Sequence, residues 1–423
     1  MTVHAFMADI GRESIKDGNL QRFLNTNRAT ILAGAMYPDG GYGTGDRELA
    51  EHAHWGEWTY DFIRYIRDDL KCNVKTLAGS TEPAPAASNP NQDQCAKLIA
   101  FMMGNAAHGY GDEVWDNLFE PQVRFRKESS APSAPGSPFP FPGNPVSDLA
   151  GSIEYAMDVC AIVDHFRDRE HPSGELPLSS HLQKVYAKHG LVFTTQQIDS
   201  AAAVTRSATQ AEIAVANSEC QRVRQQMPWA SRHYYTESGG VLHVGKMIGG
   251  MYEYLWAQLQ QPEGKGAKPR IVGVHPNHGE TDAPFRKDDP ALAIRAYMDG
   301  FVDPSNVEAQ EHFCLFEAGG RKVAGTSTPG IYRRDFTHTL NFSPAQDLKP
   351  NTRYFAVITV GLIDELNQAP LRSFIWSFTT EPSVVVARQP SQQASRWLVR
   401  NRFQPKHRCH SATRLIRGTP WRH

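Results

Sequence analysis

The sequence predicts a multidomain protein: a mainly α-helical domain over residues 1–261, a small all-β sandwich over 270–381 and a disordered basic tail over 382–423. Three observations carry this reading. Apolar residues recur at helical spacing as far as about residue 260. Beyond PEGKGAKP at 262–269, a linker by composition, they alternate in short runs instead. After Glu381 there is no Asp or Glu at all, while Arg388, Arg396, Arg400, Arg402, Lys406, Arg408, Arg414, Arg417 and Arg422 are all basic.

Taken in order, residues 48–70 (ELAEHAHWGEWTYDFIRYIRDDL) place Trp55, Trp58, Phe62, Tyr65 and Ile66 on a helix. Residues 73–94 read as a polar loop, with Asp93 as the N-cap of a buried helix over 95–119. The first part of that helix, AKLIAFMMGNAAHGYGD, is apolar nearly all round and suits a central element. Residues 129–146 (SSAPSAPGSPFPFPGNPV) are too rich in proline for a helix. Further helices are expected over about 147–169, 179–189, 194–227 and 239–260. The runs RIVGVHP, HFCLFEAGG, HTLNFSP, RYFAVITVGLID and SFIWSFTT are the expected strands, spaced by Pro, Gly, Asn and Asp turns. The tail has no periodic core pattern.

The chain has 423 residues, 40% hydrophobic and 21% charged, with a formal net charge of -1. That length suits two domains. The charge gives no global electrostatic case for nucleic acid or membrane binding. No run of about 18 apolar residues appears, so no transmembrane helix is expected. The start, MTVHAFMADIGRES, lacks the basic and apolar regions of a signal peptide. Of six cysteines, only Cys72 and Cys95 suggest a pair, because they bracket a polar loop; such a bridge requires an oxidising compartment.

The candidate chemistry lies in the helical domain. His108 and Asp112 are four apart on the central helix and share one face. Two polar groups on a nearly all-apolar helix cost free energy unless paired. A divalent metal would pair them, and so would an ordinary hydrogen bond. His52 and His54 are two apart, about 200° around a helix, so at most one can serve that site. Asp39 lies in a Pro/Gly loop, AMYPDGGYG, just before that helix. It is either a turn former or a catalytic base. Glu154 and Asp158 are again four apart, and Asp116 is one turn beyond Asp112; these form a second oxygen-ligand group or an acidic solvated face.

The array AMYPDGGYG, EHAHW and LIAFMMGNAAHGYGDEVWDNL resembles the catalytic domain of the zinc-dependent phospholipase C family, closest to the branch containing glycosylphosphatidylinositol-specific phospholipase D. The likeness covers residues 1 to about 165. It implies a metal-hydrolase domain in which Asp39, His54, His108 and Asp112 surround one zinc, with Asp39 and Asp112 as the catalytic carboxylates. His4 matches an N-terminal histidine that binds another zinc, with Asp112 bridging. The family's remaining site usually contains histidines. Here Asp116, Glu154 and Asp158 stand in its place, and carboxylates favour harder cations. One zinc is therefore expected, with two or three metals in the full family cluster. The chain starts three residues before His4, which implies either a start further upstream or an altered site. Residues from about 270 to 380 resemble a bacterial Ig-like domain, through VGVHPNHGETDAP, FSPAQDLKPNTRYFAVITVGLIDELNQAPL and WSFTT. In that module His275 and His278 read as a loop pair.

The implied activity is zinc-dependent phosphodiester hydrolysis on a phospholipid or glycosylphosphatidylinositol headgroup, with transient contact to a membrane surface. The resemblance implies a secreted or periplasmic location. Nucleic acid is not expected as a partner, since residues 1–260 contain no basic stretch interleaved with aromatics. The basic tail reads as a tether, a loose linker or a shifted reading frame. The alternative is a catalytically degraded helical domain that serves, beside its Ig-like module, as a secreted or surface binding protein.

Overall fold

The computed structural model describes residues 2–79, 90–126, 128, 149–166, 179–262, 265–302, 312–330, 337–362 and 372–383. The chain divides into two compact units, 1–267 and 268 onward. The expected Pro-rich loop at 129–146 and the tail from 384 lie outside the described residues.

The first unit is helical. It begins with Thr2–Ser14 (α1), Gly18–Thr26 (α2), Arg28–Met36 (α3), Gly40–Thr44 (α4), Arg47–Ala53 (α5) and Gly56–Arg64 (α6). Val74–Gly79 (α7), Pro90–Val114 (α8), Glu120–Phe125 (α9), Leu149–Ala161 (α10) and Ser179–Lys188 (α11) follow. Thr195–Gln226 (α12), Ala230–His233 (α13) and Val241–Leu259 (α14) complete it. α8 is the central element: it packs on α3, α1 and α14, and Leu98 through Met103 are buried along it. α12 starts with a capping box in which Thr194 and Gln197 satisfy each other's backbone N–H groups.

Several sequence expectations are corrected. The helix expected over 48–70 is broken. Trp55 is extended (φ -111°, ψ 162°) and Gly56, a weak helix former, opens the next segment. Residues 73–94 are not all loop: α7 lies within them, and α8 starts at Pro90, which puts Asp93 in its first turn instead of at the cap. Pro at the start of a helix costs no hydrogen bond, which is why the earlier start is allowed. Three of the helices pass into π turns, at Tyr65–Asp69, Trp115–Phe119 and Ile162–Phe166, and the second of these continues directly into α9.

Two disulfides are present in this unit. Cys72 pairs with Cys95, with Cα atoms 5.7 Å apart, as expected. Cys160 also pairs with Cys220 and joins α10 to α12, with Cα atoms 4.8 Å apart. Sixty residues separate that pair, so spacing alone gave no sign of it.

The second unit is a two-sheet sandwich with strands Ile271–His275 (β1), Ile294–Val302 (β2), Phe313–Glu317 (β3), Gly325–Pro329 (β4), Thr337–Pro344 (β5), Arg353–Ile358 (β6) and Phe374–Thr379 (β7). One sheet runs β1-β2-β5-β4 and the other β3-β6-β7. Both are antiparallel. β2 and β4 were not among the expected strands. β2 is buried on both faces over most of its length and so lacks alternation, and β4 is GTSTP, almost without apolar residues. Trp376, Phe313, Leu340, Ile294 and Tyr354 fill the space between the sheets. The Lys349 N–H donates to the Tyr354 hydroxyl at 2.8 Å, a corner that ties a loop to its strand in Ig-like folds.

Candidate metal centre

Five elements of the helical unit bring ionisable side chains to one buried place. His4 comes from α1, Asp39 from the residue before α4, His54 from the residue after α5, His108 and Asp112 from α8, and Glu154 from α10. The break after α5 matters here. It lets His54 turn inward against α8, where Gly109 leaves room for the His54 carbonyl; a Cβ on Gly109 would overlap that oxygen and lie 2.9 Å from the carbonyl carbon. Gly111 does the same for His4, whose Cδ2 would lie 2.8 Å from an added Cβ. The glycines that weaken α8 as a helix are thus what allow the two histidines to approach it.

His54 and His108 are both buried, and each donates Nδ1–H to a backbone carbonyl. His54 bonds to Ala50 O at 2.7 Å and His108 to Ala35 O at 2.6 Å. That fixes the tautomer, so in each neutral ring Nε2 is the lone-pair nitrogen. The two Nε2 atoms face each other at 3.1 Å. Two lone pairs at this distance need a cation between them, a proton or a metal. Asp112 Oδ2 lies 3.4 Å from His108 Nε2 and 3.5 Å from His54 Nε2. Asp39 Oδ1 lies 3.6 Å from each. A tetrahedral zinc with ligands at ~2.0–2.1 Å has ligand–ligand edges of about 3.3–3.4 Å. The donor set and its spacing therefore fit a zinc-type ion.

His4 makes a second grouping. Its Nε2 is 2.7 Å from Asp112 Oδ1 and its Nδ1 is 3.0 Å from Glu154 Oε1, and its ring stacks on His108 at 4.0 Å between centroids. Ligand atoms of His4, Asp112 and Glu154 lie within 4.8 Å of one another, as do those of His54, His108 and Asp112, and of His4, Asp39 and His108.

The charges are strongly interdependent. Burial works against ionised His4, but Asp112 and Glu154 outweigh it and hold its pKa well above the usual histidine value. Burial likewise opposes ionised His54, and Asp39 and Asp112 raise its pKa. Asp39 and Asp112 are also desolvated, yet the neighbouring imidazoles, His108 beside both, His54 beside Asp39 and His4 beside Asp112, hold them below the usual carboxylate range.

Neither Asp116 nor Asp158 belongs to the three groupings among the described residues, although the charge of Glu154 reaches Asp158. Asp116 sits in the π turn after α8. Asp158 accepts from the Val3 N–H at 2.6 Å, at the start of α1, and burial raises its pKa. Beside it, Glu212 accepts from the Thr2 hydroxyl at 2.7 Å, and burial and the charge of Asp158 push its pKa up to about 8. The carbonyls of Ala35 and Ala50, which set both histidine tautomers, had no signal in the sequence. Any residue can offer a backbone oxygen.

Residues 266–380 match the family described as bacterial Ig-like domain. No curated protein matches the chain. Among solved structures, the chain is similar to the surface-layer protein SbsC, domains 1–6, at 10% identity and TM-score 0.21, covering 78% of this chain and 46% of that one. The N-terminal part of the bacterial S-layer protein SbsC gives 10% identity and TM-score 0.21, over 77% of this chain and 78% of that one. The chain thus spans about half the length of the first of these. At such TM-scores the likenesses carry no argument about fold or function. No helix among the described residues is long and apolar enough to cross a membrane.

Proposed function

We propose that the helical unit binds a zinc-type ion between Asp39, His54, His108 and Asp112 and hydrolyses phosphodiester bonds. The observation that carries this reading is the pair of buried Nε2 atoms 3.1 Å apart, each with its Nδ1 committed to a carbonyl. A bound divalent ion supplies neutralisation of phosphate oxygens and a more acidic water. The chain's own residues do the rest. Asp39, held ionised, would accept a hydrogen bond from the attacking water and orient it. His4, Asp112 and Glu154 provide donors for a second ion. Phospholipid or glycosylphosphatidylinositol headgroups are the proposed substrate class, reached by transient contact with a membrane surface. The two disulfides suit a secreted or periplasmic protein.

The second reading is a secreted or surface binding protein whose helical unit no longer turns over substrate. The Ig-like match favours it, and the comparisons speak for it more than for the hydrolase, since the matched family is the β unit.

Metal analysis of the purified chain, combined with hydrolysis of a chromogenic phosphodiester and of phospholipid vesicles, separates the two. Hydrolysis lost on chelation, restored by zinc and absent in His108→Ala supports the enzyme. A zinc-loaded protein that cleaves neither substrate supports the binding protein. Activity indifferent to chelator overturns the mechanism.

A further inference from the structure

His52 and His54 lie two residues apart at the end of α5, so their side chains leave the helix on nearly opposite sides. His54 turns inward to His108. His52 has a different partner, 137 residues further along the chain: its Nδ1 lies 3.2 Å from Nε2 of His189, with the rings edge to face at 5.1 Å between centroids. The other nitrogen of His189 is held by Asp61 of α6, with Nδ1 and Oδ2 2.8 Å apart. All three side chains are partly exposed.

We propose that His52 and His189 form a second, solvent-accessible site for a divalent transition-metal ion, with Asp61 orienting His189. Three features support it. First, the nitrogen–nitrogen distance of 3.2 Å is close to the edge of a tetrahedral site with ligands at ~2.0–2.1 Å, and it nearly repeats the 3.1 Å of the buried pair. Second, a carboxylate on the far nitrogen is the usual support of a metal-bound histidine. It keeps the proton on Nδ1 and leaves the Nε2 lone pair for the ion. Third, the backbone of His189 is fixed. The His189 N–H donates to Val185 O at 3.0 Å and the Leu191 N–H to Tyr186 O at 2.9 Å, while Gly190 reverses the chain at φ 82°. Two imidazoles suit zinc, copper or nickel, and exposure leaves the other coordination positions to water. An ion there would join α5, α6 and the end of α11. A His52 N–H donated to His189 satisfies the same distance, so metal stoichiometry decides between them.

The full chain is dialysed against Zn²⁺ at neutral pH and its bound zinc counted, for wild type, His189→Ala, His52→Ala and Asp61→Asn. Each histidine variant is expected to bind one equivalent fewer than wild type while melting at the wild-type temperature in chelator. Asp61→Asn keeps both imidazoles and is expected to weaken that equivalent about 10–100-fold. Equal stoichiometry and affinity in wild type and Asp61→Asn overturn the proposal, whether or not the histidine variants fold. Zinc held by the buried centre is counted separately through His108→Ala, which leaves the His52–His189 equivalent in place.

Discussion

Gly109→Ala tests the geometry of the buried centre without touching a ligand. On propensity alone the change should help, since Ala is better than Gly inside a helix by about 1 kcal/mol. The structure reverses the sign. The new Cβ would overlap the His54 carbonyl oxygen and lie 2.9 Å from the carbonyl carbon and 3.7 Å from its Cα. Carbon–carbon contacts are comfortable at about 3.5–4.0 Å, so that contact alone requires backbone to separate from backbone by about half an ångström, and the overlapped oxygen requires more. Neither side has a flexible end that can swing away. Overpacking of this kind costs about 1–3 kcal/mol, enough to cancel the propensity gain and leave a net loss. The same displacement moves His54 relative to His108, and the 3.1 Å between their Nε2 atoms opens. Zinc affinity is expected to fall at least 10-fold, on the scale of supporting-residue changes around metal sites. Thermal melts in chelator measure the first effect, and competitive zinc titration with a chromogenic chelator measures the second. A variant that melts no lower than wild type and binds zinc as tightly would refute both the close approach and its role.

Two further outcomes concern charge inside the helical unit, both measured in chelator. Asp9 is buried, and Arg12 Nε at 2.7 Å and Arg28 at 2.9 and 2.8 Å hold its pKa down against burial. Asp9→Asn should cost about 3 kcal/mol, since a buried carboxylate's ion pairs with Arg28 and Arg12 are lost together, although Arg12 retains Glu13 at 3.1 Å. A lowered folded pKa means that wild type gains from ionised Asp9 above an unfolded value of about 3.9 and loses the gain as pH falls through the folded value. The gap between wild type and variant should therefore shrink in acid; a constant gap would sink this account. Glu212 has the opposite sign. Its folded pKa of about 8 exceeds the ~4.3 of the unfolded chain, so the folded state binds the extra proton between them and stability falls as pH rises through that window. Glu212→Gln should flatten the fall, and a slope unchanged in urea melts between these pH values would exclude Glu212 as its source.

Local pattern carried much of the architecture. Helices α11, α12 and α14 lie within a residue or two of the ranges their periodicity and caps suggest, and five of the seven strands were visible as alternating runs. Their apolar faces and turn residues act over a few positions, so a short stretch is enough to read them. The failures have particular causes. The three π turns depend on i→i+5 bonding that no composition announces, as where the Leu70 N–H reaches Tyr65 O at 3.0 Å. The break at Trp55 lies in an aromatic run that looks helical from end to end.

At the metal centre the same division holds. From sequence came the residue types: two histidines and two carboxylates on a loop and two helices, with His108 and Asp112 on one face because helical geometry requires it. Their convergence was the work of the tertiary structure. It places His54 against Gly109, gives each histidine a carbonyl that fixes its proton, turns Glu154 to His4 and keeps Asp116 and Asp158 out of the ligand groupings. It also gave His52, left without a role by the two-residue spacing, a partner in His189. The physical reason is range. Helix phase and capping are set by neighbours within a turn or two, whereas ligand geometry is set by backbones that meet across 54, 73 or 137 residues of intervening chain.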